Sequence, residues 1–325
     1  MKVLVTGGAG YIGSATSKLL LKDFEVIIVD NFTRGHEDAI PGIKYYKADI
    51  KNVFDLDKIF KIEKPDAVIH FAAKSLVGES VSNPYDYFEN NVYGTLELLK
   101  VMISNNVKKI VFSSSAAVYG NAGSDSIKED TPLNPQSPYG QTKLQMEEMM
   151  KAFDQAYGLK YVALRYFNVA GALDDGSIGE DHSPETHLIP IVIKAAFSGK
   201  PLKVFGNDYD TKDGTNIRDY VNVVDLAQAH ILALNYLMKG GASDIFNLGT
   251  DHGSSNLEII RTVEKVTGLK VNYEIVGRRA GDPDSLVACC EKAKHVLGFE
   301  NKHSLEDSIK SAILFHKNHP EGYNK

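Results

Sequence analysis

Tyr139 and Lys143 stand four residues apart, a spacing that puts both side chains on one face of a helix. A free phenol titrates near 10 and is a poor base at neutral pH. A neighbouring ammonium favours the phenolate, so a tyrosine held beside a lysine can remove and return a proton. Ser113, Ser114 and Ser115 follow the apolar run Ile110–Phe112, and a hydroxyl there can share a proton with the phenol. Ser115 is the expected partner; at least one of the others serves only to satisfy backbone groups where a strand ends.

A second group sits at the start of the chain. Gly7-Gly8-Ala9-Gly10-Tyr11-Ile12-Gly13 directly follows the apolar run Val3–Val5 and precedes a segment of helical period. In a dinucleotide fingerprint Gly7 permits the tight turn, Gly10 lets the backbone approach a pyrophosphate, and Gly13 allows close helix–strand packing. The amides of such a helix N-terminus face the phosphates with the positive end of the helix dipole. Asp30 ends the next apolar run, at the distance where a carboxylate accepts the ribose hydroxyls of NAD and repels a 2′-phosphate. Arg34 is close enough to leave NADP open. With NAD in place its positive nicotinamide ring adds to Lys143. Bringing the phenol to neutral pH needs about 4 kcal/mol of differential stabilisation, within reach of two close cations in a partly dry site.

These residues need a scaffold. Val3–Val5, Val26–Val29, Tyr45–Ala48, Ala67–Phe71, Ile110–Phe112 and Val162–Leu164 read as strands, and Tyr11–Lys22, Tyr85–Asn105 and Tyr139–Tyr157 as helices. The alternation predicts an α/β fold, a doubly wound parallel sheet of Rossmann type with helices on both faces. Ligands in such sheets bind at the carboxyl ends of strands, where the residues above all lie. After Gly171 the alternation stops, and 171–187 reads as a long polar loop. A helix over Leu188–Phe197, a loop over 206–217, a helix over Asp225–Met238 and a strand over Ile245–Leu248 follow, then helices near Leu257–Thr267 and Leu305–His316. The expected division is a dinucleotide-binding domain over 1–170 and a smaller α/β substrate domain over 171–325, with the chain returning to the first around 218–250.

The bulk numbers agree with an ordinary soluble globular protein. Of 325 residues 43% are hydrophobic and 24% charged, and the formal charge is −6 with the basic residues scattered. Neither a nucleic-acid nor a membrane partner is expected. No apolar stretch is long enough to span a bilayer, and the N-terminal apolar run turns into glycines too early for a signal peptide. The only cysteines, Cys289 and Cys290, are adjacent. They predict neither a disulfide framework nor a zinc site but two reduced thiols in a cytoplasmic protein.

The three-residue step from Gly7 to Gly10 resembles the short-chain dehydrogenase/reductase superfamily. Over nearly its whole length the sequence resembles the UDP-galactose (UDP-glucose) 4-epimerases, an extended branch of that superfamily. The stretches that carry the likeness include His70-Phe71-Ala72-Ala73, Val77-Gly78-Glu79-Ser80, Ser113–Gly120, Ser137–Lys143 and Arg165-Tyr166-Phe167-Asn168. Gly179-Glu180-Asp181, Phe205–Tyr209, Asp213-Gly214-Thr215, Arg218-Asp219-Tyr220, Asn247-Leu248-Gly249 and His319-Pro320 with Gly322-Tyr323 complete it.

The resemblance implies roles position by position. Tyr139 is then the base, Lys143 its partner and ribose anchor, and Ser115 the proton relay. Gly7, Gly10, Tyr11, Ile12, Gly13, Asp30, Asn31, Asp49, Ile50, Phe71, Ala72, Ala73, Asn90 and Phe167, with the catalytic three, would line the NAD site. Asn168, His187, Leu188, Arg218, Arg279 and Asp282, with Ser115 and Tyr139, would hold a UDP-hexose; Arg278 is an alternative to Arg279. Two arginines suit a diphosphate, which takes fixed multi-donor cations. The implied reaction is reversible C4 hydride transfer through a 4-keto sugar, with NAD kept tightly bound, in a homodimer joined through helices 85–105 and 139–157.

Departures matter as well. Some members carry Lys where this chain has Ser75, with Lys74 one place early. His187 stands where Asn is common; with no companion ligands at suitable spacing, no metal is expected. Sister enzymes that eliminate water or decarboxylate carry acidic residues where this chain has Ala116 and Ala117, which cannot move a proton. Another UDP-sugar, such as UDP-N-acetylglucosamine or UDP-glucuronate, or a non-catalytic NAD-binding regulator are the alternatives. Leu286 occupies the position that gates N-acetyl groups and is intermediate in size, so plain hexoses are expected to be preferred.

Overall fold

The computed structural model describes residues 1–123, 126–279 and 282–323. Strands β1 (Lys2–Thr6), β2 (Glu25–Asp30), β3 (Lys44–Lys47), β4 (Ala67–His70), β5 (Lys109–Ser113) and β6 (Lys160–Tyr166) form one parallel sheet with a seventh strand, Asp244–Leu248. The spatial order is 244–248, β6, β5, β4, β1, β2, β3. The order reverses between β1 and β4, so a crevice opens at their carboxyl ends.

Alternate residues of each strand feed opposite layers. Val3, Val5, Ile28 and Leu164 share one layer with Leu20 of helix Tyr11–Leu20 and with Leu226, Ala233 and Leu237 of helix Val223–Met238. Leu4, Val29, Val68 and Phe112 face Leu56 and Phe60 of helix Val53–Glu63, Leu98 and Met102 of helix Gly94–Ser104, and Met146 and Met150 of helix Pro138–Tyr157. Burial on both faces explains why the strands are almost uniformly apolar.

The remaining elements build a separate core, in which Ile189, Val192 and Ile193 meet Leu202, Val204, Ile259, Val263, Ile309 and Ile313. These residues come from helices Leu188–Ser198, Asn256–Thr267 and Leu305–Asn318 and strand Leu202–Phe205, which pairs with Tyr273–Val276. Ser255 and Ser304 start the last two helices with reciprocal caps to Glu258 and Asp307.

Helix Val53–Glu63, helix Glu291–Leu297 and strands Leu202–Phe205 and Tyr273–Val276 are not expected from the sequence, and three further features depart from it. The stretch expected as one helix over 85–105 is helical throughout, but Phe88–Tyr93 forms a wide π-type turn. That turn buries Asn91, whose amide donates to Lys74 O and to Thr142 Oγ1, both at 3.0 Å. The segment rejoining the main sheet is 223–248; strand Ile217–Asn222 pairs instead with Asn168–Ala170, Gly253–Ser255 and Ser285–Leu286. The chain also returns a second time, since Ala293, Leu297 and Phe299 join the core beneath Phe246.

Candidate active site

The crevice is a single cleft of about 1120 Å³ that runs from the glycine turn to the second core. Its floor at the N-terminal end is shaped by sterics. Gly7 has φ +70°, and a side-chain carbon there would lie 2.5 Å from Ala72 N. A carbon on Gly13 would lie 2.2 Å from Gly7 O, whereas one on Gly10 would meet only that oxygen, at 3.5 Å. Gly10 therefore borders open space, as close approach by a phosphate requires. The first helix, α1 (Tyr11–Leu20), has no side-chain cap and no acidic residue in its first turn. Its amides are left for an anion. Asp30 closes β2, with its carboxylate accepting Ala9 N at 2.9 Å and Phe32 N at 2.8 Å. Burial raises its pKa against those two bonds. Glycine cradle, bare helix end and carboxylate together fit a dinucleotide.

Tyr11, Ile12, Asn31, Ile50, Phe71, Ala72, Ala73, Asn90 and Phe167 all line the cleft. Asp49 does not. It stands behind Asn31, accepting Asn31 Nδ2 at 3.0 Å and Lys51 N at 2.9 Å. Lys74 lines the cleft and pairs with Asp86 at 2.8 Å. Arg34 is engaged by Ser183 O at 3.1 Å and Glu79 at 3.4 Å.

At the middle of the cleft, Ser137 caps helix Pro138–Tyr157 by accepting Gly140 N, and the proline occupies the first turn. This fixes Tyr139 and Lys143 at the end of the helix nearest β5. The three serines diverge. Ser113 Oγ lies 2.5 Å from Tyr166 OH, Ser114 Oγ donates to Glu147 Oε1 at 2.5 Å, and Ser115 Oγ accepts Ala117 N at 3.1 Å on the side of the Tyr139 phenol, whose pKa it lowers. Lys143 Nζ donates to Ser113 O at 2.7 Å and lies 5.8 Å from the Tyr139 ring centre.

The electrostatics differ from the expectation of a phenol already lowered by its lysine. Burial raises the Tyr139 pKa, with the Ser115 bond opposing it. Burial likewise brings Lys143 down to about 7, against the pull of Glu147 one turn further along. Both groups lose hydration, and each disfavours its own charged form.

Glu147 belongs to a buried network that the sequence reading did not single out. Arg165 Nε and Nη2 donate to its two oxygens at 3.0 and 2.6 Å, and Arg165 Nη1 donates to Tyr119 OH at 2.9 Å. Burial alone would lower the Arg165 pKa, but the Glu147 carboxylate outweighs it and raises it. An arginine directly after the apolar run Val162–Leu164 was the available signal.

The far end of the cleft carries Asn168, His187, Leu188, Arg218, Arg279 and Asp282. Arg218 donates to Ile217 O at 2.7 Å and Pro283 O at 3.0 Å and sits 3.5 Å from Asp282. Arg279 stacks 4.0 Å over the Phe205 ring. Arg278 instead pairs with Asp208 at 2.7 Å and covers Tyr209, outside the cleft lining. His187 is not isolated, contrary to the sequence reading. Its Nδ1 is 2.7 Å from Glu180 and 3.1 Å from Glu185, and His182 Nδ1 is 3.1 Å from the same Glu180 oxygen. Burial would lower the His187 pKa, but the two carboxylates raise it to about 10.

A Rossmann crevice that ends in a tyrosine–lysine pair and continues into an arginine-bearing pocket defines a dinucleotide-dependent enzyme acting on an anionic substrate. Residues 3–249 match the NAD dependent epimerase/dehydratase family, and the chain belongs to that family and uses NAD. It is 57% identical to a UDP-glucose 4-epimerase of Lactobacillus helveticus over 99% of both chains. A crystal structure of a UDP-glucose 4-epimerase, 47% identical and covering 100% of both chains, superposes with TM-score 0.98. A UDP-glucose 4-epimerase from Brucella ovis in complex with NAD is 44% identical, with TM-score 0.94, over 96% of this chain and 97% of that one.

Proposed function

We infer that this protein interconverts UDP-galactose and UDP-glucose, as a UDP-glucose 4-epimerase. The observation that carries the reading is the proton site. Tyr139 faces Ser115 beside Lys143, and the residues that follow Ser115 are the inert Ala116 and Ala117. Such a site can move one proton at one hydroxyl, and the two alanines supply no acid or base for elimination.

Ser115 relays the proton of the sugar 4-hydroxyl to the Tyr139 phenolate, which holds it and gives it back along the same path. Lys143, fixed by Ser113 O, holds positive charge beneath the phenol and anchors the ribose. NAD, when bound, supplies the acceptor for the C4 hydride, returns it, and adds the ring charge that favours the phenolate. Gly7, Gly10, Gly13 and Asp30 hold the dinucleotide. Arg218, Arg279, Asn168, His187, Leu188 and Asp282 hold the UDP moiety, so the 4-keto sugar can turn over while its anchor stays. Leu286 lines the cleft and limits bulk at the sugar, so UDP-N-acetylglucosamine should turn over far more slowly than the plain hexoses.

Two further parts of the reading concern the whole molecule. Residues 1–170 with 223–248 and 291–299 serve as the NAD domain, and the rest of 171–325 as the UDP-sugar domain. Tyr85, Tyr93 and Leu96 are exposed on the helical segment 84–104, which supports a homodimer formed there and along 139–157. Among the described residues no helix is long and apolar enough to cross a membrane. A cytoplasmic location would keep Cys289 and Cys290 reduced.

The deciding experiment incubates the purified protein with UDP-galactose, without added NAD, and follows UDP-glucose by NMR. Conversion to an equilibrium mixture without net NADH is expected. No conversion even with NAD added would remove UDP-galactose as substrate and bring another UDP-sugar, or binding without chemistry, to the front. Light scattering that gives a monomer mass would overturn the dimer.

A further inference from the structure

The loop between Gly179 and helix Leu188–Ser198 brings together two imidazoles and two carboxylates. One donor atom from each of Glu180, His182, Glu185 and His187 lies within 4.8 Å of the others. The contacts that hold them are short: Glu180 Oε1 is 2.7 Å from His187 Nδ1 and 3.1 Å from His182 Nδ1, and Glu185 Oε1 is 3.1 Å from His187 Nδ1. In a tetrahedral site with bonds of about 2.0–2.1 Å, ligand atoms stand about 3.3 Å apart. Replacing the imidazole protons by an ion therefore asks the three contacting pairs to open by a few tenths of an ångström and the wider pairs, within 4.8 Å, to close round it.

The backbone between these groups is anchored on several sides. Asp181 Oδ2 accepts Tyr323 N at 2.9 Å, Ser183 O accepts Arg34 Nη1 at 3.1 Å, and Gly179 N donates to Tyr323 OH at 3.0 Å. His36 stacks on Tyr323 with ring centres 4.9 Å apart. Glu180 is only 8% exposed, so one carboxylate of the set is already removed from water. Such fixing of the surroundings is what holds ligand side chains in place.

We propose that Glu180, His182, Glu185 and His187 form a binding site for a divalent transition-metal ion of the zinc class on the wall of the cleft. Two imidazoles and two carboxylates suit such an ion better than magnesium or calcium, which prefer all-oxygen sets. Binding displaces the proton that each Nδ1 holds against a carboxylate. Glu180, His182 and His187 line the cleft, so a bound ion stands at its wall.

The test strips the whole protein with a chelator, dialyses it, and titrates Zn²⁺ in competition with a chromophoric chelator. One ion per chain is expected. His182→Ala and Glu185→Gln should each weaken binding by more than the roughly 10–100-fold that an outer-shell change costs. Substituting Co²⁺ in the unaltered protein should give the intense visible bands of a tetrahedral site, a readout that needs no variant. No ion retained at one equivalent, octahedral Co²⁺ bands, or unchanged affinity in the His182→Ala/Glu185→Gln double variant would each overturn the assignment. Metal stoichiometry is read without turnover, so the outcome is independent of the epimerase reading.

Discussion

Replacing Glu147 by glutamine removes one charge from a pair that water does not reach. The Arg165 side chain is 2% exposed and that of Glu147 4%, and the pairing is two-pronged. The amide keeps an acceptor but turns a donor towards the guanidinium. A buried charge left without its partner costs about 3–5 kcal/mol. That is a large share of the roughly 5–15 kcal/mol by which domains are stable. Urea unfolding of Glu147→Gln, Arg165→Met and the double variant measures it. The single variants should each lose several kcal/mol and the double variant should lose less than their sum, because no buried charge is then left without its partner. Glu147 also raises the Lys143 pKa against burial. Its loss should therefore move the alkaline limb of the kcat profile to lower pH, as the ammonium deprotonates sooner. A loss below about 1 kcal/mol for Glu147→Gln, or additive single effects, would refute the mutual dependence of the pair.

Tyr139→Phe should lower kcat by about 10²–10⁴-fold, the usual share of a positioned proton-transfer group, with UDP-glucose affinity held; calorimetry and NMR turnover measure the two. Gly7→Ala places a side chain at φ +70° and 2.5 Å from Ala72 N. It should cost about 1–3 kcal/mol in strain and shed the dinucleotide, read as lost NAD on gel filtration. The folded pKa of Lys143, about 7, lies below its ordinary 10.5, so the unfolded chain binds the extra proton between those values. The stability this group contributes is full above the upper value and lost as pH falls towards the lower. Unfolding midpoints should accordingly rise with pH over that window relative to Lys143→Met, and parallel curves would contradict it.

The glycine turn, Asp30 and the tyrosine–lysine pair were legible because each rests on local geometry: a tight turn, a strand end, one turn of helix. Arg278 and Arg279 were not separable, since neighbouring loop residues carry no periodicity to say which faces the cleft; Arg279 does. Helix Val53–Glu63 escaped notice because its buried stripe is Leu56, Ile59, Phe60 and Glu63, the last an acid that breaks the apolar pattern. That acid is held by Lys2 at 3.0 Å, a partner distant in sequence. Strands Leu202–Phe205 and Tyr273–Val276 form a two-stranded ribbon with much of its surface in water, too short to show an alternation. The grouping of Glu180, His182 and Glu185 around His187 depends on how an irregular loop folds back, which no periodicity records.

Strand Asp244–Leu248 pairs along the outer side of β6 through five residue pairs, from Asp244 with Val162 to Leu248 with Tyr166. A chain ending near residue 170 would leave β6 as a bare edge, its amides and carbonyls open to any extended segment nearby. Val162 and Leu164 would also lose the cover of Leu226, Leu234 and Phe246. The segment up to residue 170 is thus no portable module: shuffling it onto another partner must bring along a helix that begins 57 residues after β6 (223 − 166) and a strand that begins 78 after it (244 − 166).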